Sequence, residues 1–255
     1  MKLPFIAGTC HYTDFFIYSA CDEHYFDEFG RAFVNSIHAN SSTPVHLHLF
    51  NPRPDQLEFC TQHNVSVTYE HVPLQLFKEA AQNVIKSDQY TRTLTAMQKG
   101  NDRSVVDRMR KTYYACARFI RLHTIVNSNV LALDVDAIVR QHIGPLDHKH
   151  DLYLYRIFGK KARCLAGGIY LNGSVLSKKF MHEYAVALQS SLEADCVYWG
   201  VDQDLLDSIV PKYNYGQLPS GLIDWHMNAD SAVWTAKGNR KSLEVFVNEQ
   251  KKYSV

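Results

Sequence analysis

The sequence predicts an α/β fold, a mixed but mainly parallel sheet flanked by helices. Three observations point there. Residues 15–69 alternate strand-like and helix-like segments in a β-α-β-α-β order, the order that builds parallel strands joined by helical crossovers. A short apolar run, Val130-Leu131-Ala132-Leu133, follows the turn-like Asn127-Ser128-Asn129 and ends abruptly in Asp134-Val135-Asp136. It reads as a buried strand with two acids at its carboxyl end. The 255 residues are 46% apolar and 21% charged, ordinary for a soluble globular chain that buries one sizeable core.

The elements follow in order. Phe15 to Ala20 is the first strand. Tyr25 to Asn40 is an amphipathic helix, with Phe26, Phe29, Phe33 and Ile37 at helical spacing. Val45 to Phe50 alternates as a second strand; Pro52-Arg53-Pro54 breaks the chain, and Asp55 to His63 is a short helix. Val65 to Tyr69 is a third strand. Leu74 to Gly100 is polar with weak helical periodicity and reads as a mobile excursion over the site. Ser104 to Val126 is a long helix with Val105, Met109, Tyr113, Cys116, Ile120 and Ile125 on one side. After the acid-bearing strand come strands at Asp151–Tyr155 and Leu165–Asn172, a helix from Gly173-Ser174 to Leu192, and a helix from Val201 to Val210. Tyr213–Leu218 and Ser231–Trp234 are short strands, a basic turn spans 236–241, and Ser242 to Lys251 is the last helix. There is no internal repeat or low-complexity tract.

The formal net charge is +1, which gives no electrostatic case for nucleic acid or an anionic membrane surface. The six cysteines are scattered without a C-x-x-C pair. They read as free thiols in a reducing compartment. No stretch approaches a membrane span or a secretory leader, and the expected location is cytoplasmic. The 13 histidines show no metal-ligand spacing such as H-E-x-x-H.

Two carboxylates one residue apart at the end of a buried strand raise each other's pKa unless a cation lies between them. Mg²⁺ and Mn²⁺ take oxygen ligands and bridge carboxylates to substrate phosphates. Ligands of such sheets bind beyond the carboxyl ends of the strands, where Asp22, Asp134 and Asp136 all fall. The bland alternative has one Asp capping the next segment and the other facing water. Asp22 and Asp202 are also natural helix caps, Asp204 suits a helix dipole, Gly167-Gly168 suits a bulge, and Lys237 and Arg240 suit a solvated turn.

The order of motifs adds to this. YYACARFIRL carries Arg118 on a helix before VLALDVDAIV. LAGGIYLN begins about thirty residues after the acids, and DQDLLDSI opens a helix about thirty residues later still. WTAKGNRK lies near the end. Taken from Phe16 to Lys241, this order resembles the GT-A glycosyltransferases, and within them glycosyltransferase family 8. The resemblance implies a Rossmann-like GT-A domain over 1–255, with a nucleotide-binding half over about 1–140 and an acceptor half over about 141–255. It implies transfer of a sugar from a nucleotide-sugar donor, UDP-linked by preference, to the hydroxyl of a glycan, lipid-linked or protein acceptor, with retention of configuration and Mn²⁺ or Mg²⁺ as cofactor.

Mapped by the same resemblance, Asp134 and Asp136 hold the cation, with Val135 between them. Ala20, Asp22 and Tyr25 receive the nucleoside. Gly167 and Gly168 let the sugar approach the backbone. Lys237, Arg240 or Lys241 meets the departing diphosphate, and Arg118 neutralises Asp134 or reaches the donor. Asp202, Gln203 and Asp204 hydrogen-bond sugar hydroxyls or hold the acceptor as the catalytic group. One departure stands out. Family 8 places a histidine as third metal ligand just before a Gly-x-x-Lys turn; Thr235 and Ala236 stand there here, and His226 is the nearest candidate, with Asn228 and Asp230 close to it. Two other readings stay open: a Mg²⁺-dependent phosphohydrolase with a strand-end D-x-D, and a non-catalytic GT-A-like module that binds a nucleotide or glycan.

Overall fold

The computed structural model describes residues 1–100, 104–157, 163–194, 197–236 and 238–254. The elements are β1 (Ala7–Gly8), β2 (Phe16–Asp22), α1 (Glu23–Tyr25), a π-helical turn (Phe26–Gly30), α2 (Arg31–Asn40), β3 (Val45–Phe50), α3 (Pro54–Gln62), β4 (Ser66–Glu70), α4 (Leu74–Ile85), α5 (Tyr90–Gly100), α6 (Val105–Ile125), β5 (Asn129–Leu133) and β6 (Ala137–Val139). They continue with β7 (Leu152–Ile157), β8 (Arg163–Asn172), α7 (Val175–Glu193), α8 (Val201–Ile209), β9 (Tyr215–Gln217), β10 (Ile223–Asp224), β11 (Val233–Thr235) and α9 (Glu244–Lys251).

Eight strands form one sheet in the order β1-β4-β3-β2-β5-β8-β7-β9. Strands β4, β3, β2 and β5 run parallel, as the β-α-β-α-β order requires. Beyond β5 the direction reverses, because β8 pairs antiparallel with β5 and with β7. A second sheet, β10-β11-β6, takes the chain directly after the acidic pair. The mixed, mainly parallel α/β architecture is therefore the one the sequence predicts.

Alternation along the strands feeds two cores. Phe16, Tyr18, Val130 and Ala132 pack with α4, α6, α7 and α8 on one face. Ile17, Cys21, Leu131 and Leu133 pack with α2, α3, α9 and the small sheet on the other. Helix α6 starts where Ser104 Oγ accepts the Asp107 N–H at 3.1 Å, and its apolar stripe of Met109, Tyr113, Cys116 and Ile120 is buried as expected.

The structure corrects two expectations and adds a strand at 137–139. The helix read over Tyr25–Asn40 begins earlier and contains a π turn. Gly30 permits that turn, since a Cβ there would lie 2.9 Å from the Phe26 ring. Residues 74–100 are two helices rather than an excursion, because Phe77, Ala80, Ala81 and Val84 provide a buried stripe on α4. The run 137–139 is a strand of a separate sheet. Cys10, Cys21, Cys60, Cys116 and Cys164 are free thiols; Cys196 lies outside the described residues. Among the described residues no helix is long and apolar enough to cross a membrane.

Candidate active site

Asp134 and Asp136 occupy the seam between the two sheets. Asp134 N–H donates to Gly167 O at 3.3 Å, and Ala236 N–H donates to Asp136 O at 3.1 Å. The turn is thus pinned to β8 on one side and to the end of β11 on the other. Val135 is buried in the second core, whereas Asp134 and Asp136 on either side of it stay partly exposed. Gly167 is necessary for this placement: a Cβ there would sit 2.5 Å from Asp134 Oδ2.

Among the described residues, each carboxylate is met by one cation. Arg118, on the last turns of α6, pairs through Nη1 with Asp134 Oδ1. Its Nη2 donates to Ala166 O at 3.3 Å and lies 3.8 Å from Asp202 Oδ2. Lys241 Nζ is 2.7 Å from Asp136 Oδ2, donates to the Tyr25 hydroxyl at 2.9 Å, and rests over the Tyr25 and Phe29 rings at 4.4 and 4.8 Å. Burial, and then the neighbouring Asp134 charge, push the Asp136 carboxyl up to about 6, against the pull of Lys241. Burial lowers the Lys241 amine, but Asp136 and Tyr25 outweigh it and hold the amine above its usual range.

The acids of α8 divide their roles. Asp202 is buried and turned toward Arg118. It is not the helix cap; Gly200, at φ +92°, takes that position. Gln203 clamps α8 to β8, with Oε1 accepting the Ala166 N–H at 3.2 Å and Nε2 donating to Cys164 O at 2.7 Å. Asp204 accepts from Arg163 at 3.1 Å and from the Tyr198 hydroxyl at 2.9 Å. Of the three, Asp202 alone pairs with the cluster around Asp134.

Asp22 ends β2 and caps α1, accepting the Tyr25 N–H at 2.9 Å, so the cap reading of this residue is correct. It also lines a cleft with Asn51, Val72, Arg110 and Tyr114. Asn51 holds one wall in place: its backbone is left-handed at φ +53°, and its Oδ1 accepts the Val72 N–H at 2.7 Å. Ala20 is half-buried on β2. Tyr25 is 38% exposed and reaches the acidic pair through Lys241.

Two expected residues, Arg240 and His226, lie away from the acids. Lys237 is outside the described residues. Arg240 stands 6.0 Å from the centre of the Trp225 ring instead of at the acids. His226 is exposed, its backbone N–H bound to Asp224 at 3.0 Å, and among the described residues no group of three His, Cys, Asp or Glu side chains converges. Gly168 accommodates Ile223, whose Cδ1 would lie 2.5 Å from an added Cβ. Asn51, Tyr155 and Asp224 carry no motif and are not marked by the sequence.

Among the described residues, a divalent cation at this site would rest on Asp134 and Asp136. The donor set fits one: Asp136 Oδ1 is buried with no hydrogen-bond partner, Gly167 leaves Asp134 Oδ2 room, and Mg²⁺-like ions need only one or two carboxylates when phosphates supply the rest.

The fold has known relatives. Over 94% of this chain and 50% of the other, it matches the bifunctional glycosyltransferase WbbM (12% identity, TM-score 0.56). It matches the glycosyltransferase GlyE of Streptococcus pneumoniae TIGR4 over 95% of this chain and 60% of that one (16% identity, TM-score 0.57). It also matches the galactosyltransferase LgtC, in complex with donor and acceptor sugar analogs, over 95% and 96% (12% identity, TM-score 0.52). The chain has the GT-A fold of these glycosyltransferases. It resembles LgtC across nearly the full length of both chains, whereas it spans about half of WbbM and three fifths of GlyE. No family model and no curated protein matches it.

Proposed function

We propose that the protein is a hexosyltransferase that moves a sugar from a nucleotide-diphosphate sugar, UDP-linked by preference, to an acceptor hydroxyl. The observation that carries this reading is the paired arrangement at the seam: two adjacent strand-end carboxylates, each held through one oxygen by a cation of the chain, Arg118 or Lys241. A group that brings negative charge and oxygen ligands, such as a diphosphate, fits between them.

Breaking the glycosidic bond leaves negative charge on the departing diphosphate, and preorganised cations stabilise that charge most where water is excluded. Lys241 has the reach and the shielding for this, with its stem against Tyr25 and Phe29. Arg118 orients Asp134 and offers a planar fork to phosphate or sugar oxygens. A bound Mn²⁺ or Mg²⁺, held by Asp134 and Asp136, would supply Lewis-acid stabilisation of the same charge. The cleft beside Asp22, with Asn51, Arg110 and Tyr114 on its walls, suits the nucleoside, while Asp202 faces the sugar side through its Arg118 contact. The resemblance to family 8 favours retention of anomeric configuration.

The test measures nucleoside-diphosphate release from UDP-, GDP- and ADP-sugars, with Mn²⁺ and with chelator. The expected result is metal-dependent release that falls by at least about 100-fold in Asp134→Ala and Asp136→Ala, the scale of losing an electrostatic stabiliser of the transition state. Phosphate release from simple phosphomonoesters, or tight nucleotide binding without turnover of any sugar, would overturn the proposal.

A further inference from the structure

Beside the acidic pair, the structure builds a second feature that the transfer chemistry leaves unused. Tyr155 of β7 and Trp225, just after β10, stack with ring centroids 5.0 Å apart and planes 30° from parallel. Both are partly exposed. Gly168 makes the contact possible. A side chain there would collide with Ile223, the residue that leads into Trp225, and the site of that missing Cβ is 3.7 Å from Tyr155 Cβ. Gly168 neighbours Gly167, over which Asp134 sits; Arg240 neighbours Lys241, which holds Asp136. The aromatic pair is therefore tied to the acidic seam from both sides.

The turn that carries Trp225 is held more firmly than a surface loop needs. Buried Asp224 accepts the N–H groups of His226 and Asn228 at 3.0 and 2.6 Å. Trp234 Nε1 donates to Asn228 O at 2.7 Å, and Arg140 donates to Ala229 O at 2.7 Å. Met227, a side-chain-bearing residue, is kept at φ +60°, a conformation that persists only where its surroundings enforce it. Rigid aromatic surface of this kind lowers the ordering cost of binding.

We infer that the Tyr155–Trp225 pair is the acceptor subsite and that it takes the terminal pyranose of a glycan bearing an anionic group. This rests on the sugar-transfer reading above. A pyranose ring has an apolar C–H face that an aromatic ring desolvates and a polar rim that it leaves free. The anionic preference comes from Arg240. Its guanidinium lies over the Trp225 ring, 6.0 Å from the ring centre, and among the described residues no carboxylate forms an ion pair with it. A guanidinium with no carboxylate partner beside a stacking surface suits a carboxylate or phosphate on the bound sugar.

The test compares the wild type with Trp225→Ala, Trp225→Phe and Arg240→Gln. Two quantities are read: donor hydrolysis without acceptor, and the acceptor KM for glucose-terminated, glucuronate-terminated and phosphorylated oligosaccharides. Trp225→Ala is expected to raise the acceptor KM roughly tenfold or more, as loss of a buried aromatic anchor does. Hydrolysis should stay unchanged, and Trp225→Phe should keep a KM close to that of the wild type. Arg240→Gln should raise KM for the acidic acceptors alone, and the glucuronate and phosphate arms show which anion is read. Equal loss of hydrolysis and transfer in Trp225→Ala, or an unchanged KM, would overturn the inference while leaving the transferase reading intact. If the wild type turns over no donor, saturation-transfer NMR of the same oligosaccharides against wild type and Trp225→Ala decides. Saturation transfer to the terminal sugar that is seen with the wild type and disappears with the variant supports the subsite. Equal transfer from both proteins, or transfer from neither, overturns it.

Discussion

At the scale of single residues, the placement of Asp134 depends on an absence. The space under its carboxylate exists because Gly167 has no Cβ; with one, the nearest atom would be Oδ2 at 2.5 Å. The obstructing atom is the end of a side chain rather than backbone, so Gly167→Ala costs little stability and instead turns the carboxylate away. A shift of about 1 Å at a reacting centre costs on the order of 100-fold in rate. Gly167→Ala should therefore lose about that factor in kcat/KM while its thermal midpoint stays near that of the wild type. A large drop in midpoint would show that Gly167 serves packing instead. This residue is legible in the sequence as part of LAGGIYLN, and so are Asp134 and Asp136, because strand ends and short motifs are local properties. Lys241 is legible only as one of several basic residues near the end of the chain. Which of them reaches Asp136 depends on the pairing of β11 with β6 and on the 3-10 turn Gly238–Ser242, and neither leaves a local signal.

At the scale of elements, periodicity identifies β2, β3, β4, β5, α6 and α7 because each buries a regular face. It fails over 74–100, where polar residues cover a stripe of only four buried positions on α4, and at 137–139, too short to show alternation. The β3–β4 pair carries a property that periodicity hides. His46 and His48 are buried, and both hydrogen-bond Thr68 Oγ1, at 3.0 and 2.9 Å; His46 also meets Ser66 Oγ at 2.9 Å. His48 Nε2 lies 3.9 Å from Glu70, whose carboxylate is bound by Arg121 and Tyr113. Burial, with a smaller push from His11, lowers the His46 pKa to about 3. Burial, Arg121 and His46 hold His48 well below its usual range. The folded strands thus keep these rings neutral while the unfolded chain takes up protons near pH 6.5. Stability is full above that pH and is lost as pH falls toward 3, by up to about 1.4 kcal/mol per pH unit for each ring. Glu70 acts in the opposite sense at the acid end, since burial raises its carboxyl. Denaturant midpoints between about pH 7.5 and about pH 4.5 should fall steadily as the unfolded state gains protons, and His46→Gln should flatten the slope; a pH-independent midpoint in the wild type would refute the account.

At the scale of the whole molecule, the alternation of elements predicts the sheet and its helical cover, but not the seam where one sheet passes into another. That seam has a consequence for how the molecule assembles. Ser19 Oγ donates to Leu133 O across 114 residues of sequence, and Val139 N–H donates to Ser36 Oγ across 103. These contacts close long loops, whose entropy must be met before the contacts form. The parallel strands and the long helix α6 can collapse earlier, through nearer partners. During refolding from denaturant, helical circular dichroism should return before nucleotide affinity does, and simultaneous recovery would argue against this order. The pair of acids is then a late product of folding, the point at which distant parts of the chain first agree on a common geometry.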